Sequence, residues 1–475
     1  MGRIQEAIKN RKEENLYQFE GIAPISKSFT ISLQHVMALF FSNITPFMVV
    51  AAAIGTKRFV DPAIINNAIR TASLISGLAT LLQVLPIWKF GTRMPILIGS
   101  SFTFSGVCIL IGSMFGLQTM FLSLIFGGII ATVIGLFAKF WVKFIPAIVS
   151  GIVVFGVGLS LLPAGIQQLF ALTADVPGLF VDGIYQFEVA WPYLLVGFIT
   201  LISSVLFQFL FKGKFKNSSI LIGLAIGYVV SLCFIPYNNM VDFSSFSVNS
   251  VTDVIDVPRP IFTLLSFSSG DINIGSIIAV TVIFLVSMVE TMGGTENYAQ
   301  SVETRPASKD EHAGAIASNS LMSVISSCFG GMPLTVYNQN VAIVAQTKVK
   351  NRFVIVLAAS VLILISFFPI VASFLTTIPV SVLGGCLLPL FASIAISGLR
   401  IIARSGWSAK NVLILTLSLG IGYGLSLVPE ITYISSEGSW SDYLKLVLQN
   451  PVAMMFIIGL VSYYIIPKSL ETKEG

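Results

Sequence analysis

The sequence predicts an all-α polytopic membrane protein of fourteen transmembrane segments, built as two inverted seven-segment repeats with short paired β-strands in segments 3 and 10. Three observations support this fold class. Only 10% of the 475 residues are charged and the mean hydropathy is +0.90, whereas soluble domains carry roughly a quarter charged residues. Lys and Arg recur in short groups between apolar stretches. The third and tenth stretches share a Met-Pro entry followed by a polar break.

Apolar stretches follow one another along the whole chain, and a helix needs about 20 mainly apolar residues to cross the hydrocarbon core of a bilayer. The third and tenth are short and are interrupted by Gly, Pro, Ser or Asn. The segments are expected near residues 29–54, 66–87, 94–113, 117–138, 144–166, 188–211, 217–235, 275–300, 311–330, 333–347, 352–375, 378–402, 409–428 and 450–467.

The positions of Lys and Arg predict the orientation of these segments. With a cytoplasmic N-terminus, 22 of the 27 Lys and Arg residues fall in cytoplasmic connections, as the positive-inside rule requires. Four fall outside, and Arg70 sits in the second segment. One segment more or fewer would destroy the alternation. We therefore predict a multi-pass protein of the cell membrane, in contact with the lipid bilayer, with both termini cytoplasmic.

The longest connection, residues 237–274, lies between the seventh and eighth segments, where two seven-segment halves would be joined. It is expected outside and carries four Asp residues: Asp242, Asp253, Asp256 and Asp271. An odd number of segments per half makes the two halves inverted in topology. Residues 1–28 form a predicted cytoplasmic N-terminal segment without a cleavable signal, and residues 468–475 form a cytoplasmic tail.

The interrupted segments point to a binding site. Met94-Pro95 opens the third segment and Met332-Pro333 opens the tenth. Irregular backbone at membrane depth must be buried in protein or line a cavity. Two extended pieces at equivalent depths can pair with each other, and each then leads into a half-helix whose amides face the cavity. The extended pieces are expected at 96–98 and 334–337, and the polar breaks at 99–101 and 338–340.

Glu290 lies in a long apolar run, followed by Thr291-Met292-Gly293-Gly294. A carboxylate within a membrane is costly and usually faces a cavity, a partner or a coupling ion. We interpret Glu290 as a solute-binding residue that can also exchange a proton during transport. The alternative is a helix-end residue at the cytoplasmic interface, since Glu296 follows.

Amide and aromatic side chains follow the two breaks. Gln339 and Asn340 are neutral amides that can recognise the edge of a planar heterocycle without burying another charge. Alternatively, Asn338 or Asn340 caps the half-helix, and both roles can coexist. Phe102, directly after the first break, can stack on an aromatic ring.

Two further polar residues lie inside predicted segments. His35 in the first segment is either a hydrogen-bonded structural residue or part of a proton relay. Asn319 lies in a stretch rich in small residues, which suits tight helix packing as well as the wall of a polar cavity.

Other classes of function have little support. The net charge of +5 is spread along the chain, so it does not predict nucleic-acid binding. The four cysteines lack metal-ligand spacing, and neither a zinc motif nor a nucleophile–base pair is recognisable. We therefore expect no metal, no cofactor and no enzymatic activity.

Four elements of the sequence resemble motifs of the nucleobase–ascorbate transporter family, which includes bacterial uracil, xanthine and uric acid permeases. Gln34-His35 is similar to the Gln-His motif of the family's first span, and Gly99–Phe102 to its Ser-Phe element. Glu290 falls where the family has its substrate-binding glutamate. The stretch 333–348 resembles the signature Gln-Asn-x-Gly-x-x-x-x-Thr-Arg. The resemblance covers about residues 22–467.

This resemblance implies a core domain (29–141 and 275–375) that moves against a gate domain (142–236 and 376–467), in a homodimer. It implies that Glu290 and Gln339 contact a nucleobase, supported by backbone amides near Phe102 and Asn338. The full set of predicted solute contacts is Glu290, Gln339, Phe102, Asn338, Asn340 and Ser101. The predicted coupling or gating residues are Glu290, His35 and Asn319.

The sequence departs from the family pattern at three positions. Ala342 stands where the signature has Gly. Gly294 occupies a position where relatives often carry Asp or His, and Asn319 one where some carry an acid. The last two departures remove candidate coupling groups, so proton coupling depends on Glu290.

The predicted function is secondary active uptake of a nucleobase, xanthine or uric acid, by symport of a proton or a sodium ion with alternating access. Gln339, in place of a second glutamate, favours an oxidised purine. The alternatives are a uracil permease of the same family and an anion transporter of the same fold. The latter has the difficulty that Glu290 would repel its substrate.

Overall fold

The computed structural model describes residues 13–55, 60–172, 179–181, 184–211, 218–234, 241, 254–428 and 447–471. Several predictions fall outside these residues. They concern residues 1–12, Lys57 and Arg58, the basic connection 212–217, Asp242 and Asp253, Lys445, and the end of the tail.

The first half of the chain is helical, with one short strand between its second and third helices and two more between its sixth and seventh helices. Asp61 begins the second helix by accepting a hydrogen bond from the Ala63 N–H at 2.8 Å. The elements are α1 (Ile25–Gly55), α2 (Pro62–Val84), β1 (Ile98–Ser100), α3 (Ser105–Phe115), α4 (Leu117–Leu136), α5 (Ala138–Trp141), α6 (Ala147–Leu169), β2 (Phe180–Val181), β3 (Ile184–Tyr185), α7 (Phe187–Leu210) and α8 (Ser219–Leu232).

The second half follows a similar order. A capping box between Ser308 and Glu311 begins its second helix. The elements are α9 (Ile274–Val302), α10 (Lys309–Cys328), β4 (Leu334–Val336), α11 (Asn338–Thr347), α12 (Arg352–Ser366), α13 (Pro369–Thr376), α14 (Val380–Arg404), α15 (Ala409–Leu417) and α16 (Pro451–Ile465).

Seven of the described helices are long and apolar enough to cross a membrane, or eight if a bent pair counts as one. They are α1, α4, α6, α7, α9, α14 and the helix that α15 begins, which continues to Leu427. Two helices, α12 and α13, cover the predicted segment 11 at 352–375, and they meet at 79°. Pro369 at the start of α13 cannot donate a helical hydrogen bond, which explains the break.

The helices pack as two bundles. The first bundle contains α1–α4 and α9–α13, and the second contains α6–α8 and α14–α16. Within the second bundle α6 and α14 approach very closely: a Cβ added at Gly158 would lie 2.3 Å from the Ala395 nitrogen, and one at Gly398 would lie 2.2 Å from the Phe155 nitrogen. Small residues at such crossings allow backbones to meet, as is common in membrane bundles.

The two bundles meet along α9, which packs against α6 and α16. Strands β1 and β4 lie in the first bundle and pair antiparallel, with Ile98 opposite Val336 and Ser100 opposite Leu334. All six strand residues are buried. β4 lies just before the predicted polar break of segment 10. β1 begins two residues later than the expected extended piece, so it includes Gly99 and Ser100 of the predicted break in segment 3.

Candidate functional site

The backbone of the two interrupted segments is hydrogen-bonded beyond the strands themselves. The Ser101 N–H donates to the Pro333 carbonyl at 2.7 Å, and the Tyr337 N–H donates to the Leu97 carbonyl at 3.1 Å. Irregular backbone inside a membrane protein requires such partners. The ladder therefore holds the ends of both breaks side by side.

Polar side chains from neighbouring helices secure this ladder. Asn43 on α1 accepts the Ser100 N–H at 2.7 Å and donates to the Ala72 carbonyl at 2.9 Å. The Tyr337 hydroxyl lies 2.7 Å from the Ser42 carbonyl and 2.9 Å from the Ser100 carbonyl. Because these groups are buried and hydrogen-bonded to one another, they fix the position of both strands.

Glu290 lies on α9 beside the first break, and only 7% of it is exposed. The Thr103 hydroxyl donates to its carboxylate at 2.6 Å, and the Ser101 hydroxyl lies 3.4 Å from the same oxygen. Within the described part of the chain, neither Lys nor Arg forms an ion pair with it. The carboxylate is therefore held by neutral donors, which leaves its charge without a cationic partner there. Glu290 lies well inside α9 and not at its end, in contrast to the alternative prediction of a helix-end residue.

A small cavity lies against Glu290, between the two bundles. Its volume is about 30 Å³. The first bundle supplies the carboxylate, the aromatic Phe102 and the residues around β4, and the second bundle supplies an opposite wall from α6 and α14. The lining residues are Ser100, Phe102, Val157, Glu290, Thr335, Val336, Tyr337, Asn338, Gln339, Ile394 and Ser397.

Phe102 links the cavity to the second bundle. Its ring packs edge-on against Phe391 of α14, with 5.1 Å between the ring centroids. Edge-to-face packing of this kind is a favourable arrangement for two aromatic rings. Phe102 is thus one of the direct contacts between the two bundles at the cavity.

The helix that follows β4 begins without a side-chain cap. Tyr337 is the residue before α11, and neither Asn338 nor Asn340 caps that helix. Capping was the alternative explanation for these amides, and the structure contradicts it. The Asn338 side chain instead accepts a hydrogen bond from Asn297 Nδ2 at 3.1 Å.

Four of the predicted solute contacts line the cavity: Glu290, Gln339, Phe102 and Asn338. Ser101 contacts the Glu290 carboxylate rather than the cavity. Asn340 is buried, and its Nδ2 lies 3.4 Å from the His35 carbonyl oxygen on α1.

The two remaining predicted coupling residues lie elsewhere. Asn319 donates to the Thr291 hydroxyl at 3.1 Å and borders a separate, smaller cavity. His35 is fully buried, and neither of its ring nitrogens has a hydrogen-bond partner in the described part of the chain. This placement differs from the hydrogen-bonded structural role that the sequence left open for His35.

Several site residues had no place among the predictions. Thr103 contacts Glu290, and its position two residues after Ser101 was an available signal. Val157, Ile394 and Ser397 form the opposite wall. These three lie in ordinary apolar segments, so nothing in the local sequence distinguishes them.

The carboxylate of Glu290 on α9 and the two amides at the start of α11 thus meet at a cavity between the two bundles of a helical membrane protein. Residues 26–431 match the Xan_ur_permease family model, described as a permease family. The chain therefore belongs to this family of permeases, the nucleobase–ascorbate transporter family.

Relatives at similar length carry more specific names. The xanthine permease XanQ of Escherichia coli (strain K12) is 30% identical over 474 residues, covering 97% of this chain and 95% of the relative. The uric acid permease PucK of Bacillus subtilis (strain 168) is 29% identical over 404 residues, covering 84% of this chain and 87% of the relative. Homologues of this chain thus include xanthine and uric acid permeases.

Solved structures share the fold at low identity. The transmembrane domain of the cyanobacterial bicarbonate transporter BicA aligns with a TM-score of 0.52 and 15% identity, over 91% of this chain and 97% of that domain. SLC26A9 aligns with a TM-score of 0.59 and 13% identity, over 93% of this chain and 66% of its own. These likenesses show a shared fold.

Proposed function

We propose that this protein is a secondary active transporter that takes up a nucleobase, xanthine or uric acid, by symport with a cation, most simply a proton. The observation that carries the proposal is the convergence of the Glu290 carboxylate and the Gln339 amide on one cavity. A carboxylate can accept from ring N–H groups, and an amide can both donate and accept. Together they match a purine edge that presents a carbonyl beside an N–H.

The position of the cavity supports alternating access. Its walls come from both bundles, so a relative movement of the two bundles would change access to the cavity. We propose that the first bundle acts as the core domain and the second as the gate domain, in a fourteen-span inverted repeat that assembles as a homodimer in the cell membrane.

Glu290 is also the proposed coupling group. It is buried, it contacts only neutral donors among the described residues, and it lies in the solute cavity. A proton or a sodium ion that binds there with the solute would remove the unpaired charge during transport. His35 and Asn319 remain candidates for gating only, because neither borders this cavity.

The fold it shares with BicA and SLC26A9 supports one further candidate, an anion transporter. Glu290 argues against it, because an ionised carboxylate in the cavity repels a small anion such as bicarbonate, whereas uric acid also presents ring N–H groups that the carboxylate can accept from. A uracil permease is the alternative within the family.

Uptake into proteoliposomes tests these proposals. Labelled xanthine, uric acid, uracil, guanine and bicarbonate are compared under an imposed proton gradient and, separately, a sodium gradient. We expect uptake of xanthine or uric acid, stimulated by an inward proton gradient. Preferential uptake of uracil would favour the alternative permease, and uptake of bicarbonate alone would refute nucleobase transport.

A further inference from the structure

A chain of polar side chains connects the cavity with the end of α14 in the second bundle. Asn338 lines the cavity, and its Oδ1 accepts from Asn297 Nδ2 at 3.1 Å. On α9, Asn297 Oδ1 accepts from Arg404 Nη1 at 3.1 Å and from the Ser301 hydroxyl at 3.1 Å. Arg404 Nη2 also lies 3.5 Å from the Ser301 hydroxyl oxygen.

The donor and acceptor roles along this series of side chains follow from the chemistry of Arg404. A guanidinium group has donors only and keeps its charge at any physiological pH. Asn297 must therefore present its oxygen to Arg404, which leaves its NH₂ group for Asn338. Asn338 must then present its own oxygen to Asn297. Its remaining NH₂ group, which can only donate, is the part left for the cavity.

We propose that Arg404, acting through Asn297, fixes the amide orientation of Asn338 and thereby selects a solute with a carbonyl oxygen at this point of the cavity. An amino group of the solute at the same place would bring its own donor against the NH₂ group of Asn338. Asn338 is the specificity-determining residue, and Asn297 and Arg404 are positioning residues. This inference rests on the proposed function and narrows it to oxo-substituted bases.

The selectivity of the wild-type protein is measured by competition against labelled xanthine. Guanine and isoguanine each replace one of the two xanthine carbonyls by an amino group. We expect at least one of them to compete about ten-fold or more weakly than xanthine. If the labelled solute carried is uracil, cytosine serves as its amino analogue.

Asn297→Asp is the decisive variant, because it reverses the donor and acceptor roles between residues 297 and 338 while the size of side chain 297 stays nearly the same. The new carboxylate still accepts from Arg404 and Ser301, but it cannot donate to Asn338. Asn338 then turns its NH₂ group toward position 297 and its oxygen toward the cavity. We expect the preference for the oxo base to fall by about ten-fold or to invert.

Arg404 supplies a second variant at an exposed position. Arg404→Met frees the Asn297 amide to rotate and should lower the preference about five-fold, whereas Arg404→Lys, still a pure donor, should retain it. Arg404→Met should have no further effect on the preference once Asn297→Asp is present. Arg400→Met is the matched control, because Arg400 is exposed one turn earlier on α14 and forms no hydrogen bond within the described residues.

The outcomes separate this inference from the proposed function. A wild-type protein that takes up none of these bases refutes the proposed function itself. Normal uptake with the same oxo-over-amino preference in Asn297→Asp and Arg404→Met overturns the orientation mechanism alone. An equal loss of preference in Arg400→Met also overturns it, because that change would be a general effect of surface charge.

Discussion

The Thr103 hydroxyl donates a hydrogen bond of 2.6 Å to the Glu290 carboxylate, and so ties the half-helix after β1 to α9. The two residues are 187 positions apart in the chain and come from opposite halves of the proposed repeat. The contact orients the carboxylate toward the cavity through a charge-assisted hydrogen bond.

We predict that Thr103→Val, which keeps the shape and removes the donor, weakens solute binding. A hydrogen bond to a charged group contributes about 1.5–3 kcal/mol, so the KM for uptake should rise roughly ten-fold or more. Thr103→Ser retains the hydroxyl and should restore most of the affinity. The prediction fails if Thr103→Val and wild type have the same KM at equal membrane abundance.

Glu290→Gln should abolish or severely reduce uptake while the protein still reaches the membrane. The amide is nearly isosteric but carries no charge, and the loss of a charge-assisted contact corresponds to roughly ten- to hundred-fold in affinity. Initial uptake rates and ligand binding are measured together. Glu188→Gln, at an exposed position in the first turn of α7, is the control. Normal binding and uptake in Glu290→Gln would assign Glu290 a purely structural role.

Gln339→Glu should lower xanthine or urate transport and shift preference toward uracil-like ligands. An ionised glutamate accepts but cannot donate, so one group on the purine edge loses its partner, at about 1–3 kcal/mol. Competition assays should show opposite rank orders of the two ligand classes in wild type and variant. An unchanged order would mean that the shape of the cavity, rather than this amide, decides the choice.

Gly294 is required by close packing of α9 against β4. A Cβ at this position would lie 2.6 Å from Val336 Cγ1 and 2.8 Å from Val336 Cβ. We expect Gly294→Ala to displace the strand, to lower thermal stability in detergent by about 1–3 kcal/mol and to reduce uptake. Gly420→Ala is the matched control, because an added Cβ there meets no atom within 4 Å. Equal stability of the two variants would show that β4 adjusts freely.

The buried guanidinium of Arg70 depends on Asp256 in the connection between the two halves. Its Nη1 lies 3.1 Å from the Asp256 carboxylate, and its Nε donates to the Ser366 carbonyl at 3.1 Å. Asp256→Ala leaves a buried charge unpaired and should destabilise the fold by about 3 kcal/mol. Arg259 is a second, more exposed partner of Asp256, with 3.7 Å between its Nη2 and the Asp256 carboxylate. Arg259→Met should therefore destabilise the fold much less. Thermal unfolding of both variants in detergent decides this, and equal effects would contradict the prediction.

The class of protein and the position of the candidate site along the chain follow from local features of the sequence. Lipid offers no hydrogen bonds, so a charge such as Glu290 or a break such as Ser100-Ser101 within an apolar segment is conspicuous from local sequence alone. Strand β1 overlaps one of those breaks and β4 lies just before the other, and Glu290, Gln339, Phe102 and Asn338 meet at one cavity.

Which residues face these four depends on how the helices pack against one another. Val157, Ile394 and Ser397 complete the cavity because α6 and α14 lie opposite β4, and they resemble many other residues in the apolar helices. Likewise, Asn340 faces α1 while Asn338 faces Asn297, although both were equally plausible helix caps. The physical reason is that exposing a polar group to lipid is costly, so a polar residue in an apolar segment is visible in the local sequence. The partner that satisfies this residue comes from a distant part of the chain and is set by helix packing.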